Sequence, residues 1–218
     1  MPHRALAERR PWLLASLLFG VSFWFVSNGE LPGMYQIAWK GAGVALLAAY
    51  AWAHHPSRQA HWIAWVMALG ALGDMVLELS FTAGALAFFA GHLVAIGLYL
   101  KNRRAHPSIS QKALGVAALI GIPLISWLLT RSPQVALYAL GLGGMAASAW
   151  LSSFPRYRVG LGAMMFAASD LVIFARMGPL ADSALPHLLI WPLYYFGQFL
   201  ICVGVIGALK ARGEFSAE

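Results

Sequence analysis

Eight apolar stretches, at 12–28, 34–53, 62–79, 82–100, 113–130, 134–151, 159–177 and 188–208, occupy most of the chain, and only short polar or Gly/Pro-rich gaps separate them. One helix needs about 20 apolar residues to cross the hydrocarbon core of a bilayer. In that medium each backbone N–H and C=O must be bonded within its own segment, so such runs fold as helices. The pattern predicts an all-α, polytopic transmembrane bundle of eight helices, with residues 1–218 forming a single transmembrane domain. Composition excludes a water-soluble domain: 60% of residues are hydrophobic and 11% charged, against about 25% charged in soluble folds. Mean hydropathy is +0.69.

The distribution of Lys and Arg sets the expected orientation. With the N-terminus in the cytoplasm, the inner side holds Arg4, Arg9, Arg10, Arg58, Lys101, Arg103, Arg104, Lys112, Arg156, Arg158, Lys210 and Arg212, and the outer side only Arg131 and Arg176. An even number of crossings returns Lys210 and Arg212 to the N-terminal side, so both termini are expected in the cytoplasm. Short loops with this bias fit a bacterial inner membrane. The net charge of +7 does not indicate nucleic acid, because a nucleic-acid binder gathers its basic residues on one solvated face and these are scattered. Arg4, Arg9 and Arg10 precede an apolar run as in a signal peptide. That run passes into Asn28, Gly29, Glu30, Leu31 and Pro32 without a small-x-small cleavage site, so an uncleaved first helix is expected. The single cysteine, Cys202, lacks a partner for an intramolecular disulfide or a cysteine metal cluster and reads as a small core residue.

The two halves of the chain echo each other. GDMVLE at 73–78 is followed by FFAGHL at 88–93, and SDLVIF at 169–174 is followed by YYFGQF at 194–199. Each half has an Asp in an outward-going helix, then Gly with His or Gln in the returning one. Four spans separate the copies, which makes a parallel 4+4 internal repeat the reading. Gly- and Ala-rich segments, such as 141–147, suit close helix packing in lipid.

Ionisable groups at bilayer depth cost several kcal/mol unless paired or hydrated, so they are functional candidates. There are five: Lys40, Asp74, Glu78, His92 and Asp170. With a rise of about 1.5 Å per residue, Asp74 lies about 8 Å from the outer end of its segment, Lys40 about 9 Å, Asp170 about 10 Å and His92 about 15 Å. One cation, two carboxylates and an imidazole thus share a layer of the outer half-membrane. Gln36 and Lys40 are four apart, as are Asp74 and Glu78, so each pair shares a helix face. Tyr194 and Gln198 are likewise four apart at similar depth, with Tyr195 alongside, and Ser169 precedes Asp170. Simpler roles stand beside these: a Lys40–Asp ion pair between helices, a hydrogen-bonding core histidine, a hydrated Glu78, and an interfacial aromatic belt including Trp12, Trp39, Trp62 and Trp191. Arg156, Arg158 and the basic residues at 101–104 read as topology signals touching lipid headgroups.

Serine-nucleophile, P-loop and H-E-x-x-H motifs are absent. Only His92 lies deep within a span, whereas His54, His55 and His61 gather in an inner loop, so a zinc site is not indicated. Acid/base chemistry with two carboxylates remains. A carboxylate beside Lys40 stays ionised while one in apolar surroundings keeps its proton, which makes an acid and a base from identical side chains. Such a pair suits hydrolysis through an oxocarbenium-like state. Intramembrane Lys, Asp and His also mark ion and proton pathways, so a small ion- or proton-coupled transporter is the alternative; a lipid-binding scaffold is the third.

Lys40, GDMVLE at 73–78, GALAFFAGHL at 84–93, GAMMFAASDLVI at 162–173 and YYFGQFL at 194–200 together resemble the lysoplasmalogenase family of YhhN-like membrane proteins, in order and over nearly the whole chain. The sequence departs from the family pattern at Gly41 and Ala95, where Pro and Tyr are frequent. The resemblance implies hydrolysis of the vinyl ether bond of a lysophospholipid substrate, the lysoplasmalogens, giving a fatty aldehyde and a glycerophospho-headgroup, with membrane lipids around it and no metal or organic cofactor. Asp74, Asp170 and Lys40 are then the expected catalytic residues. His92, Tyr194, Tyr195, Gln198, Glu78 and Ser169 are expected to position water or substrate. Which Asp is the acid, which headgroup is preferred and how many copies assemble stay open.

Overall fold

The computed structural model describes residues 11–27 and 32–213. Arg4, Arg9, Arg10 and the segment 28–31 that bears on cleavage lie outside the described residues. The chain is all-α, with eight helices in the described residues: α1 Pro11–Val26, α2 Gly33–His54, α3 Arg58–Leu77, α4 Phe81–Lys101, α5 Ile109–Thr130, α6 Pro133–Leu151, α7 Arg156–Arg176 and α8 Leu185–Ala211. The first turns of α7, Arg156–Gly160, are π-helical and run directly into regular α-helix from Leu161. Six helices, α3 to α8, are long and apolar enough to cross a membrane, and the chain is an integral membrane protein. Helix α1 has 16 described residues, and α2, though 22 residues long, is diluted by Gln36 and Lys40.

Several helices begin earlier than their apolar stretch: α3 at Arg58 rather than 62, α5 at Ile109 rather than 113. The cause is capping. Ser57 Oγ accepts from the Ala60 N–H, and Ser108 forms a reciprocal capping box with Gln111. Capped first turns need no apolar side chains, because their free N–H groups are already satisfied. Ser80 and Ser132 start α4 and α6 in the same way, the latter with Pro133 in the first turn.

Helices α3, α4, α6, α7 and α8 form a ring, each packed on the next, and α8 closes it against α3. Helices α1 and α2 lie outside this ring against α3 and α8, and α5 lies outside it against α6 and α7. The peripheral place of α5 shows in its burial, 22% of its span against 56% for α7 and α8. Across the ring α4 and α7 do not pack backbone to backbone. Between α7 and α8 the opposite holds. A Cβ on Gly162 would fall 2.6 Å from the Gly197 carbonyl oxygen, so the two glycines let these backbones touch. In α5, Pro123 leaves the Leu119 carbonyl without its helical donor, and Gly143 of α6 packs against the Ala118 and Leu119 carbonyls.

Candidate active site

Each ring helix contributes a polar side chain to the centre at one depth. Asp74, in the last turn of α3, is buried and accepts a hydrogen bond of 2.7 Å from the Tyr194 hydroxyl of α8. Gln198 lies one turn further along α8, also buried. Its amide nitrogen lies against Gly70, one turn before Asp74, where a Cβ would come within 2.9 Å of it.

Asp170, on α7, accepts 2.7 Å from the Tyr138 hydroxyl of α6. The same hydroxyl oxygen is 3.1 Å from His92 Nε2 on α4. Because a tyrosine has one proton to donate and Tyr138 gives it to Asp170, its oxygen accepts from His92, which places a proton on Nε2. Three helices are thus tied by His92, Tyr138 and Asp170. The two carboxylates are close enough for their charges to interact. Between the clusters stand aromatic rings: Phe166 lies 5.2 Å from both His92 and Tyr194, and Phe88 meets Phe166 and Tyr194 edge-on at 5.9 and 5.7 Å.

The gap between α4 and α7 is the mouth of a cleft of about 600 Å³ lined from α4, α6 and α7. Apart from Tyr138, Asp170 and a few polar groups at its outer rim, its walls are apolar, and Leu86 and Leu137 on its edges are exposed. Asp170 lines this cleft and Asp74 does not. That volume falls in the range of small-molecule sites. A carboxyl group therefore faces an apolar slot open along the side of the bundle.

The other expected residues separate. Lys40 forms its ion pair with Glu78 and with neither aspartate, although its charge reaches Asp74 one turn inward. Glu78 is half exposed. Ser169 donates across helices to the Ile190 carbonyl at 2.9 Å and so clamps α7 to α8. Tyr195 faces away from Tyr194: its hydroxyl is 2.9 Å from Ser16 Oγ, and its ring fills the space over Gly20, where a Cβ would sit 2.1 Å away. Trp191 is buried and donates to the Gly20 carbonyl at 2.7 Å, so it is a core residue and not part of an interfacial belt. Cys202 is buried as expected, its thiol against the Leu47 carbonyl. Among the described residues no three of His, Cys, Asp and Glu gather closely enough to hold a metal ion.

The sequence profile of the YhhN family matches residues 35–205. The chain belongs to this family. It is 32% identical over 210 residues to the protein named lysoplasmalogenase in Mycobacterium bovis (strain ATCC BAA-935 / AF2122/97), covering 87% of this chain and 80% of that one. The same figures hold for the lysoplasmalogenase of Mycobacterium tuberculosis (strain CDC 1551 / Oshkosh). No solved structure matches the chain at a significant level. In this YhhN protein the matched span contains every residue of both carboxylate clusters, whereas α1, which seats Tyr195, lies outside it.

Tyr138 is the site residue that reading charges alone misses. A phenol is neutral at ordinary pH and so does not count among the charged groups at bilayer depth. The depth arithmetic finds it when applied to hydroxyls, since Tyr138 lies about 8 Å from the start of α6, level with Asp170.

Proposed function

We infer that this YhhN protein is a membrane hydrolase that cleaves the vinyl ether bond of lysoplasmalogens, releasing a fatty aldehyde and a glycerophospho-headgroup. The observation that carries the reading is Asp170 in the wall of an apolar cleft open to the bundle surface, with a second carboxylate within electrostatic reach behind it. The relatives named lysoplasmalogenase support the same substrate class. A single alkenyl chain suits the cleft, and the headgroup end of the lipid then lies at the polar rim formed by Ser132 and Gln134.

In the proposed reaction Asp170 starts protonated, with Tyr138 bonded to one oxygen, and donates its proton to the β carbon of the alkenyl ether. The double-bond electrons form the new C–H bond and leave an oxocarbenium ion beside the carboxylate so created. Water adds to the cationic carbon and passes a proton to Asp74 by way of the Tyr194 hydroxyl. The hemiacetal hydroxyl then returns a proton to Asp170 as the C–O bond to glycerol breaks, and Asp74 sends its proton back through the Tyr194 hydroxyl to the departing oxygen. Both carboxyl groups end as they began. Lys40 and Tyr194 supply Asp74 with a nearby positive charge and a hydrogen-bond donor. Opposite-charge pairing and donor bonds hold a carboxylate in place at depth.

The finer topology belongs to the same proposal: eight crossings of one domain, both ends in the cytoplasm, a 4+4 repeat, and residence in a bacterial inner membrane. Aldehyde release by purified protein from choline and ethanolamine lysoplasmalogens, run beside acyl lysolipids, is the test. Ester-only cleavage, or proton-coupled flux in liposomes without hydrolysis, overturns the reading.

A further inference from the structure

Behind the two clusters lies a smaller chamber, of about 20 Å³, lined by residues of all five ring helices. Most of its wall is apolar, including Val66, Met145 and Ile201, but Tyr99, His92 and Gln198 also line it. Tyr99 is 1% exposed, and its hydroxyl has no hydrogen-bond partner among the described residues. Helical side chains lean toward the N-terminal end of their helix. Tyr99 shares its face of α4 with Ala95 and His92, and all three line the same chamber. A buried hydroxyl left unbonded is costly. A space of this volume holds one water when it offers two to four polar partners.

We propose that this chamber is a water-binding site, held by the Tyr99 hydroxyl with Gln198 and His92, and that it supplies the water consumed in the reaction at the carboxylates. Its position fits the supply. Phe88 lines both the chamber and the large cleft, so one aromatic ring separates the stored water from the lipid chain. Gln198 reaches from the chamber to Tyr194, which bonds Asp74. A swing of the Phe88 ring opens the path from the chamber to the cationic carbon, where the water oxygen forms the new C–O bond and its proton leaves through Tyr194.

The role rests on the hydrolase reading, but the site does not. A structure of the full chain in nanodiscs, at a resolution that shows ordered solvent, is expected to show one water within hydrogen-bond distance of Tyr99 Oη and of Gln198 or His92, lost in Tyr99→Phe. Absence of that density in the native chain overturns the site, whatever the enzyme does. Turnover tests the role: Tyr99→Phe is expected to lower kcat about tenfold with KM unchanged, the order expected for a displaced reacting group. Ala95→Val, which fills the chamber one turn away on the same face of α4, should do the same and covers the case in which Tyr99→Phe does not fold. Unchanged kcat in a folded variant that has lost the water overturns the role and leaves the hydrolase reading standing.

Discussion

The Asp74 and Asp170 clusters are built from the same parts and differ in what surrounds them. Each has a buried carboxylate bonded by a tyrosine at 2.7 Å, and each has a neighbouring amide or imidazole, Gln198 or His92. The Asp74 cluster is walled in where α3 meets α8, with the charge of Lys40 close by. The Asp170 cluster faces the cleft that opens because α4 and α7 stay apart. Identical side chains are thus given different access and different electrostatic neighbours, and the proposed acid and base roles rest on that difference.

The largest effect is expected from Asp170→Asn. Aldehyde release should fall by about 10³- to 10⁴-fold, the upper part of the range for a general acid, with the folded protein still monodisperse in detergent. Asp74→Asn should cost about 10²-fold, the lower part of that range. Equal, small losses in both would erase the distinction between the clusters.

The tyrosines sharpen it. A hydrogen bond to a charged group is worth about 1.5–3 kcal/mol, so Tyr138→Phe and Tyr194→Phe should each slow turnover by about 10- to 150-fold. Steady-state kinetics should separate them, since Tyr138 lines the cleft and its loss should also raise KM, whereas Tyr194 lies behind and should change kcat alone.

The smallest effect belongs to Glu78→Gln. Its ion pair with Lys40 is half exposed on the Glu side, and such pairs contribute less than about 1 kcal/mol. Thermal unfolding in detergent should shift little. A loss of activity comparable to Asp74→Asn would move Glu78 from the rim into the reacting centre.

Much of this protein was legible before any coordinates. Apolar run length decides helix count and class in a bilayer, because backbone bonding there leaves few alternatives, and the helices fall where those runs predict apart from capped first turns such as Arg58 and Ile109. The shared depth of Asp74, His92, Asp170 and Tyr194 also follows from rise per residue alone. Rotation about each helix axis and the choice of neighbours do not. Tyr194 and Tyr195 are adjacent in sequence, yet one bonds Asp74 and the other Ser16 of α1. Lys40 meets Glu78 rather than an aspartate, Tyr138 joins the site, and α4 parts from α7. Each of these depends on which faces meet between segments distant in the chain, where glycine pairs such as Gly162 and Gly197 permit approach and rings such as Phe88 prevent it. Apolar periodicity carries little of that information in lipid, since both faces of a spanning helix are apolar.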